Sequence, residues 1–249
     1  MNVYVCSDSV MGIFSAIYEA WLERGEDAEI AFIGAVEQRL FCQYIEVEET
    51  PKKSMAVEKM IRKHLGDYSY QEIYQALLAK EEHKGTAILR TILAAKHIQH
   101  SHRIMEHLSN PYVEKVFRLS RQVAGEAHQY KGFVRFRELK NGILFSEIEP
   151  KSQVLTCIAG HFSDRLPLEN FMIYDRTHKM FVVHQAQCKW VLVSAEELDK
   201  EMSEDISKEQ EKFAALWKGF CSSISIAERE NLLLQRQNLP LRYRKHMVE

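Results

Sequence analysis

Apolar positions along the chain fall into stretches of two kinds. Residues 2–6 alternate, with Val3 and Val5 as β-formers, and read as an opening strand. Ser9 then caps a run in which Val10, Ile13, Phe14, Ile17, Tyr18, Trp21 and Leu22 share one helical face, and Gly25 supplies the stop. Residues 28–33 and 41–47 read as short strands. Pro51 opens a helix with Val57, Met60, Ile61 and Leu65 aligned, closed by Gly66. A second helix aligns Tyr70, Ile73, Tyr74, Leu77 and Leu78. A charged stretch, residues 80–85, has the composition of a linker, and a helix follows over residues 86–98. Pro111 starts a long helix carrying Val113, Val116, Phe117, Val123 and Ala124.

Past that point the period changes. Residues 133–139 and 143–148 flank Asn141-Gly142, a pair suited to a tight hairpin turn. A two-residue loop there pairs Lys140 with Ile143, Arg137 with Ser146 and Arg135 with Ile148. A helix over residues 154–162 follows, then strands over 171–174, 180–184 and 189–193. Two closing helices are expected, the second with Phe213, Leu216, Trp217, Phe220 and Ile224 on one face. The order predicts an α+β fold: a small N-terminal α/β segment, a helical middle and an antiparallel sheet with flanking helices. The expected division is residues 1–84 and 85–249.

The chain has 249 residues, enough for a full core without disulfides. Its net charge of -2 and pI near 6.6 advertise no global affinity for nucleic acid or membrane, so such binding needs a local patch. The five cysteines are scattered without a CxxC pair, the pattern of small buried residues in a reducing, cytoplasmic setting. They supply no closely spaced trio for an iron–sulfur cluster. No segment approaches the ~18 to 20 apolar residues of a membrane span. Phosphate loops, GxGxxG, GxSxG, HExxH and deaminase motifs are absent from the sequence. Nothing in it demands a metal or cofactor.

Candidate chemistry lies in two basic stretches and scattered acid–base groups. Arg135 and Arg137 flank Phe136 on the hairpin, and Arg165 ends a helix. Arg236, Arg242 and Tyr243 sit near the end of the chain. Arginine beside aromatic rings suits phosphate contact and base stacking. The acidic stretch 196–211 reads as a solvated helix face. His128, Glu147, His161, Asp164 and Asp175 could serve as acid–base groups if they met in one pocket. Asp175 also suits the start of a turn.

A set of ordered segments carries a resemblance. It comprises His128-Gln-Tyr-Lys-Gly-Phe-Val-Arg-Phe-Arg-Glu138, Gly142-Ile-Leu-Phe-Ser-Glu-Ile-Glu-Pro150, His161-Phe-Ser-Asp-Arg165 and Ile173-Tyr-Asp175. It continues with Leu216-Trp217, Glu228-Arg-Glu-Asn231, Leu234-Gln-Arg-Gln237 and Leu239-Pro-Leu-Arg-Tyr-Arg244. From about Gly85 onward the chain resembles an uncharacterised family named for DNA metabolism and DNA repair. The opening strand and first helix also look like the family's full-length form. The resemblance implies a radical-SAM protein of DNA-repair type as partner. Some relatives are fused to a domain of the uracil-DNA glycosylase superfamily, whose water-activating motif this chain lacks. Arg244 stands where the family often has tryptophan, which weakens a stacking role there.

Three functions follow as expectations. The first is an accessory nucleic-acid- or partner-binding protein of DNA metabolism. The second is an enzyme acting on damaged nucleic acid through the acid–base groups. The third is an interaction scaffold without DNA contact.

Overall fold

The computed structural model describes residues 1–23, 27–36, 39–139 and 142–194, together with Pro240 and Tyr243. The expected stop at Gly25, Asn141 of the hairpin, the acidic stretch 196–211, the closing helices, and Arg236, Arg242 and Arg244 lie outside the described residues. The fold is mixed α+β, as the order of periods predicts. Two compact units divide at Ala124 and Gly125, within the long helix α4 (Pro111–Phe133).

In the first unit, β1 (Asn2–Cys6) lies between β2 (Glu29–Phe32) and β3 (Gln43–Glu46), and both pairings are parallel. The helix α1 (Val10–Leu22) crosses from β1 to β2. Its N-cap is Ser9, whose hydroxyl accepts the Gly12 N–H at 2.8 Å. Next come α2 (Pro51–Leu77), interrupted at Gly66, and α3 (Lys84–Ala95). The stretch 80–85 is therefore a helix–helix connection inside this unit. Lys84 is 1% exposed there, its ammonium donating to the Ala79 carbonyl and to Asp8, each at 2.6 Å.

α3 sits hard against the edge strand β2. Thr86 Oγ1 accepts the Ile30 N–H at 2.9 Å and donates to the Ile30 carbonyl at 3.1 Å, covering ladder groups that an edge strand leaves open. Gly85 permits this approach, because a Cβ there would lie 2.8 Å from Ile30 Cγ2.

The second unit holds a five-stranded sheet in the order β4 (Arg137–Glu138), β5 (Leu144–Ile148), β6 (Phe171–Asp175), β7 (Met180–His184), β8 (Val191–Ser194). The sheet is not wholly antiparallel: β5 and β6 run parallel, joined through α5 (Leu155–Arg165). Phe171, Ile173, Val182 and Ile148 line one face and are buried with Ile158, Ala159 and Phe162 of α5. Glu126 of α4 fixes the approach to α5, its carboxylate accepting the N–H groups of Lys151 at 2.9 Å and Ser152 at 3.1 Å.

The hairpin register differs from the expected one. Arg137 pairs with Phe145 and Glu138 with Leu144. The Leu139 N–H bonds to the Ile143 carbonyl, and the Gly142 N–H to the Leu139 carbonyl, both at 2.9 Å. The loop is thus three residues long with Gly142 in the left-handed region at φ 79°, the arrangement that adds a bulge. One extra loop residue moves Arg137 to the face of Phe145 and Glu147. The strand expected from Phe133 is also shorter, because α4 continues to Phe133.

Two outcomes follow. Gly85→Ala is expected to lower unfolding stability by about 1–3 kcal/mol through overpacking against Ile30, read from urea denaturation. The second concerns alkaline pH. Burial pushes the Cys6 thiol up to about 12, with Glu49 and Asp8 adding to the effect and Lys84 opposing it. An unfolded thiol ionises near pH 8.5, so above that the folded state holds more protons and stability falls as pH rises toward about 12. Lys84 acts oppositely: its burial lowers its pKa against the pull of Asp8, so stability gains as pH climbs toward the ordinary lysine range. Cys6→Ala removes only the first contribution. Its urea midpoint should fall less than the parent's above about pH 8.5, and an identical pH profile would refute the assignment.

Candidate cationic sheet end

The most developed polar cluster lies where β5 and β6 end. Arg137 enters from β4 and Glu147 from β5. Arg176 and His178 stand in the turn between β6 and β7. Arg137 Nη2 and Arg176 Nη1 each lie 3.9 Å from Glu147 Oε2, and Arg176 Nε lies 3.8 Å from Glu149 Oε1. These separations exceed hydrogen-bond reach, so they are loose ion pairs. The two arginine side chains are 38% and 50% exposed. Arg135 donates to the Gly132 carbonyl at 2.8 Å. It shares with Glu147, Tyr130, Phe133 and Tyr243 a shallow cleft whose interior space is about 10 Å³. That is room for about one water molecule, so a surface contact fits better than an enclosed substrate.

Asp175 is buried, and the three hydrogen bonds it makes among the described residues all serve its own turn. Oδ1 accepts the N–H groups of Thr177 at 2.9 Å and His178 at 3.1 Å. Oδ2 meets His178 Nδ1 at 2.6 Å. The turn-forming role read from sequence is the one the structure gives. Asp175 is 1% exposed and engaged by its own turn and by His178, so it presents no free carboxylate at the surface. Sequence reasoning missed His178. The signal was the spacing Asp-x-x-His at a turn, which lets the ring reach back to the carboxylate.

The five acid–base candidates do not all converge. Glu147 is held between two arginines. His128 is exposed on α4. His161, Asp164 and Arg165 belong to α5, which runs back from the end of β5 to the start of β6. Its C-terminal end, with exposed Asp164 and Arg165, is therefore at the opposite end of the strands from Asp175. His161 packs edge-on against Phe162, and its Nε2 is buried without a hydrogen-bond partner among the described residues. Arg165 accordingly cannot join the Arg137–Arg176 surface.

The expected stacking residues are engaged in packing. Tyr243 is 4% exposed. Its ring stands edge-on to Tyr130 at 4.8 Å and tilted to Phe133 at 5.4 Å, and its hydroxyl donates to Gln129. Phe136 packs edge-on against Phe162 and Phe171 at 5.3 and 5.6 Å. Tyr243 is too buried to offer a face to a base, and Phe136 is half-buried. Among the described residues no three His, Cys, Asp or Glu side chains form a metal-binding group. No described helix is long and apolar enough to cross a membrane.

Fold and site together define a mixed α+β protein whose second unit gathers arginines, a histidine and glutamates at one sheet end. The chain belongs to the family described as a domain of unknown function, DUF4130, whose model matches residues 82–249, about two thirds of the sequence. No curated protein matches it.

Asp175→Ala is expected to destabilise the protein by about 1–3 kcal/mol, because two turn N–H groups and a ring nitrogen lose their acceptor. Thermal unfolding checks this, and Asp175→Asn, which keeps one acceptor oxygen, should fall between the two.

Proposed function

We propose that this protein is a nucleic-acid-binding accessory factor of DNA metabolism that works beside a radical-SAM partner. The observation that carries the binding part is the placement of Arg137 and Arg176 around one carboxylate, with Arg135 in the adjoining cleft. Exposed ion pairs at such separations contribute only about 0–1 kcal/mol. A phosphate can therefore draw these guanidiniums away from Glu147 at little cost, and each guanidinium offers a fork of N–H donors that matches phosphate oxygens. The net charge of -2 leaves long-range attraction weak, so affinity must come from this local patch.

The partner and the link to DNA repair rest on the ordered segments from His128 to Arg244, which resemble the DNA-metabolism family. Arg236 and Arg242 remain candidate contacts on sequence grounds. The catalytic alternative is disfavoured, because Asp164 at the end of α5 stands at the opposite end of the strands from Glu147 and Asp175.

The test is anisotropy titration of labelled single-stranded and duplex DNA across a salt series. The parent should bind, with affinity falling steeply as salt rises. Changing Arg135, Arg137 and Arg176 together to Ala should flatten the logarithmic salt slope by up to ~3 and weaken binding on all sequences alike. Unchanged affinity would remove this surface from the reading. Absence of binding by the parent at low salt would leave a partner scaffold, to be sought by co-purification with the radical-SAM protein.

A further inference from the structure

The β6–β7 turn, residues 176–179, holds more than its arginine. The two backbone bonds that Asp175 accepts from Thr177 and His178 are enough to shape the turn. The third bond, to His178 Nδ1, is not needed to close the hairpin. Its effect is to aim the ring. A carboxylate only accepts, so Nδ1 carries a proton and Nε2 is the polar edge left over. The His178 side chain is 19% exposed and cannot rotate without breaking its bond to a buried acid. Lys179 follows at φ 54°, a left-handed conformation that side-chain-bearing residues adopt infrequently, and it is exposed. Arg176, at the start of the same turn, is already part of the cationic end. Four consecutive residues thus present a guanidinium, an oriented ring nitrogen and an ammonium on a backbone fixed in advance. Fixing donors before binding lowers the entropy lost when a ligand is held.

We propose that this turn grips the phosphodiester backbone of nucleic acid, with His178 Nε2 and Lys179 Nζ as contacts and Asp175 as the positioning residue. The inference rests on the reading of the arginine surface and extends it to a second set of contacts. With Asp175 on one side and a phosphate oxygen on the other, the ring takes up a second proton on binding and then donates from both nitrogens. Lys179 adds a point charge, and Arg176 joins the turn to Arg137 through Glu147.

The experiment uses the full chain and a labelled oligonucleotide of about 20 nucleotides, single-stranded and duplex, between about 50 and about 200 mM salt. The variants are His178→Asn and Lys179→Asn. Asparagine at 178 keeps an N–H donor for Asp175 but has nothing at the Nε2 position. Asparagine at 179 tolerates positive φ and removes the charge. The double variant should bind roughly tenfold more weakly near 0.1 M salt, with the salt slope reduced by about 1 to 2, and melt at the parent's temperature. If melting falls, Lys179→Asn alone decides, since it leaves Asp175 and its bonds in place. Should the turn variants bind within twofold of the parent while the triple arginine variant loses affinity, the inference is overturned and the arginine surface stands. If the triple variant also binds like the parent, or the parent does not bind, both fail together.

Discussion

Carboxylates turned inward to meet backbone N–H groups hold the corners of this chain. Glu49 reaches from beyond β3 to the Ser7 N–H and hydroxyl, tying the exits of two parallel strands together. Glu126 collects two N–H groups before α5. Asp175 collects two more and a histidine ring between β6 and β7. Loops cannot satisfy their own N–H groups as helices and sheets do, and an N–H left bare in the interior costs about 1–3 kcal/mol. An ionised acceptor makes a stronger bond than a neutral one. Three side chains therefore settle the entry to α1, the entry to α5 and the tip of a hairpin.

The same constraint sorts which polar residues remain for function. A carboxylate spent on backbone donors has little left to offer a ligand, which leaves Asp175 to orient His178. Lys84 shows the converse. It is a buried cation answered by Asp8 and the Ala79 carbonyl, beside a Cys6 thiol that burial keeps protonated. Reactive cysteines need thiolate character and access, and this one has neither. The polar side chains facing outward at the end of the second sheet include Arg137, Arg176, Lys179 and the His178 edge beside the part-exposed Glu147 and Glu149, and the cations among them suit anion contact.

Local pattern made much of this legible. The alternation of residues 2–6, the Ser9 cap and the three-and-four spacing to Leu22 produced β1 and α1 directly, because neighbours in sequence decide those elements. The candidate site was half legible: Arg135, Arg137, Glu147 and Asp175 were all named, but not their partners. What failed depended on distant residues or on a single loop position. Asn141-Gly142 marked a hairpin correctly, yet two- and three-residue loops share that signature, and the choice moved Arg137 from Ser146 to Phe145. Phe133 fits a strand by composition, but its ring packs on Tyr243 from the end of a helix. Tyr243 looked like a surface ring in a basic tail. Its burial comes from Tyr130 and Phe133, more than a hundred residues earlier in the sequence.

The parallel step from β5 to β6 decides what meets at the candidate site. β4 is antiparallel to β5, so its start, with Arg135 and Arg137, lies by the end of β5, with Glu147 and Glu149. Because β6 runs parallel to β5, its exit, with Asp175 to Lys179, is at that end too. An antiparallel β6, which the hairpin-rich pattern suggested, would have sent the turn to the far end beside Leu144. Arg176 could not then reach Glu147, and His178 would stand apart from the arginines. The crossover through α5 is what brings three loop ends to one place, and it simultaneously carries Asp164 and Arg165 away. Arg165, expected to act with Arg135 and Arg137, is separated from them by the same strand pairing that brings Arg176 to them.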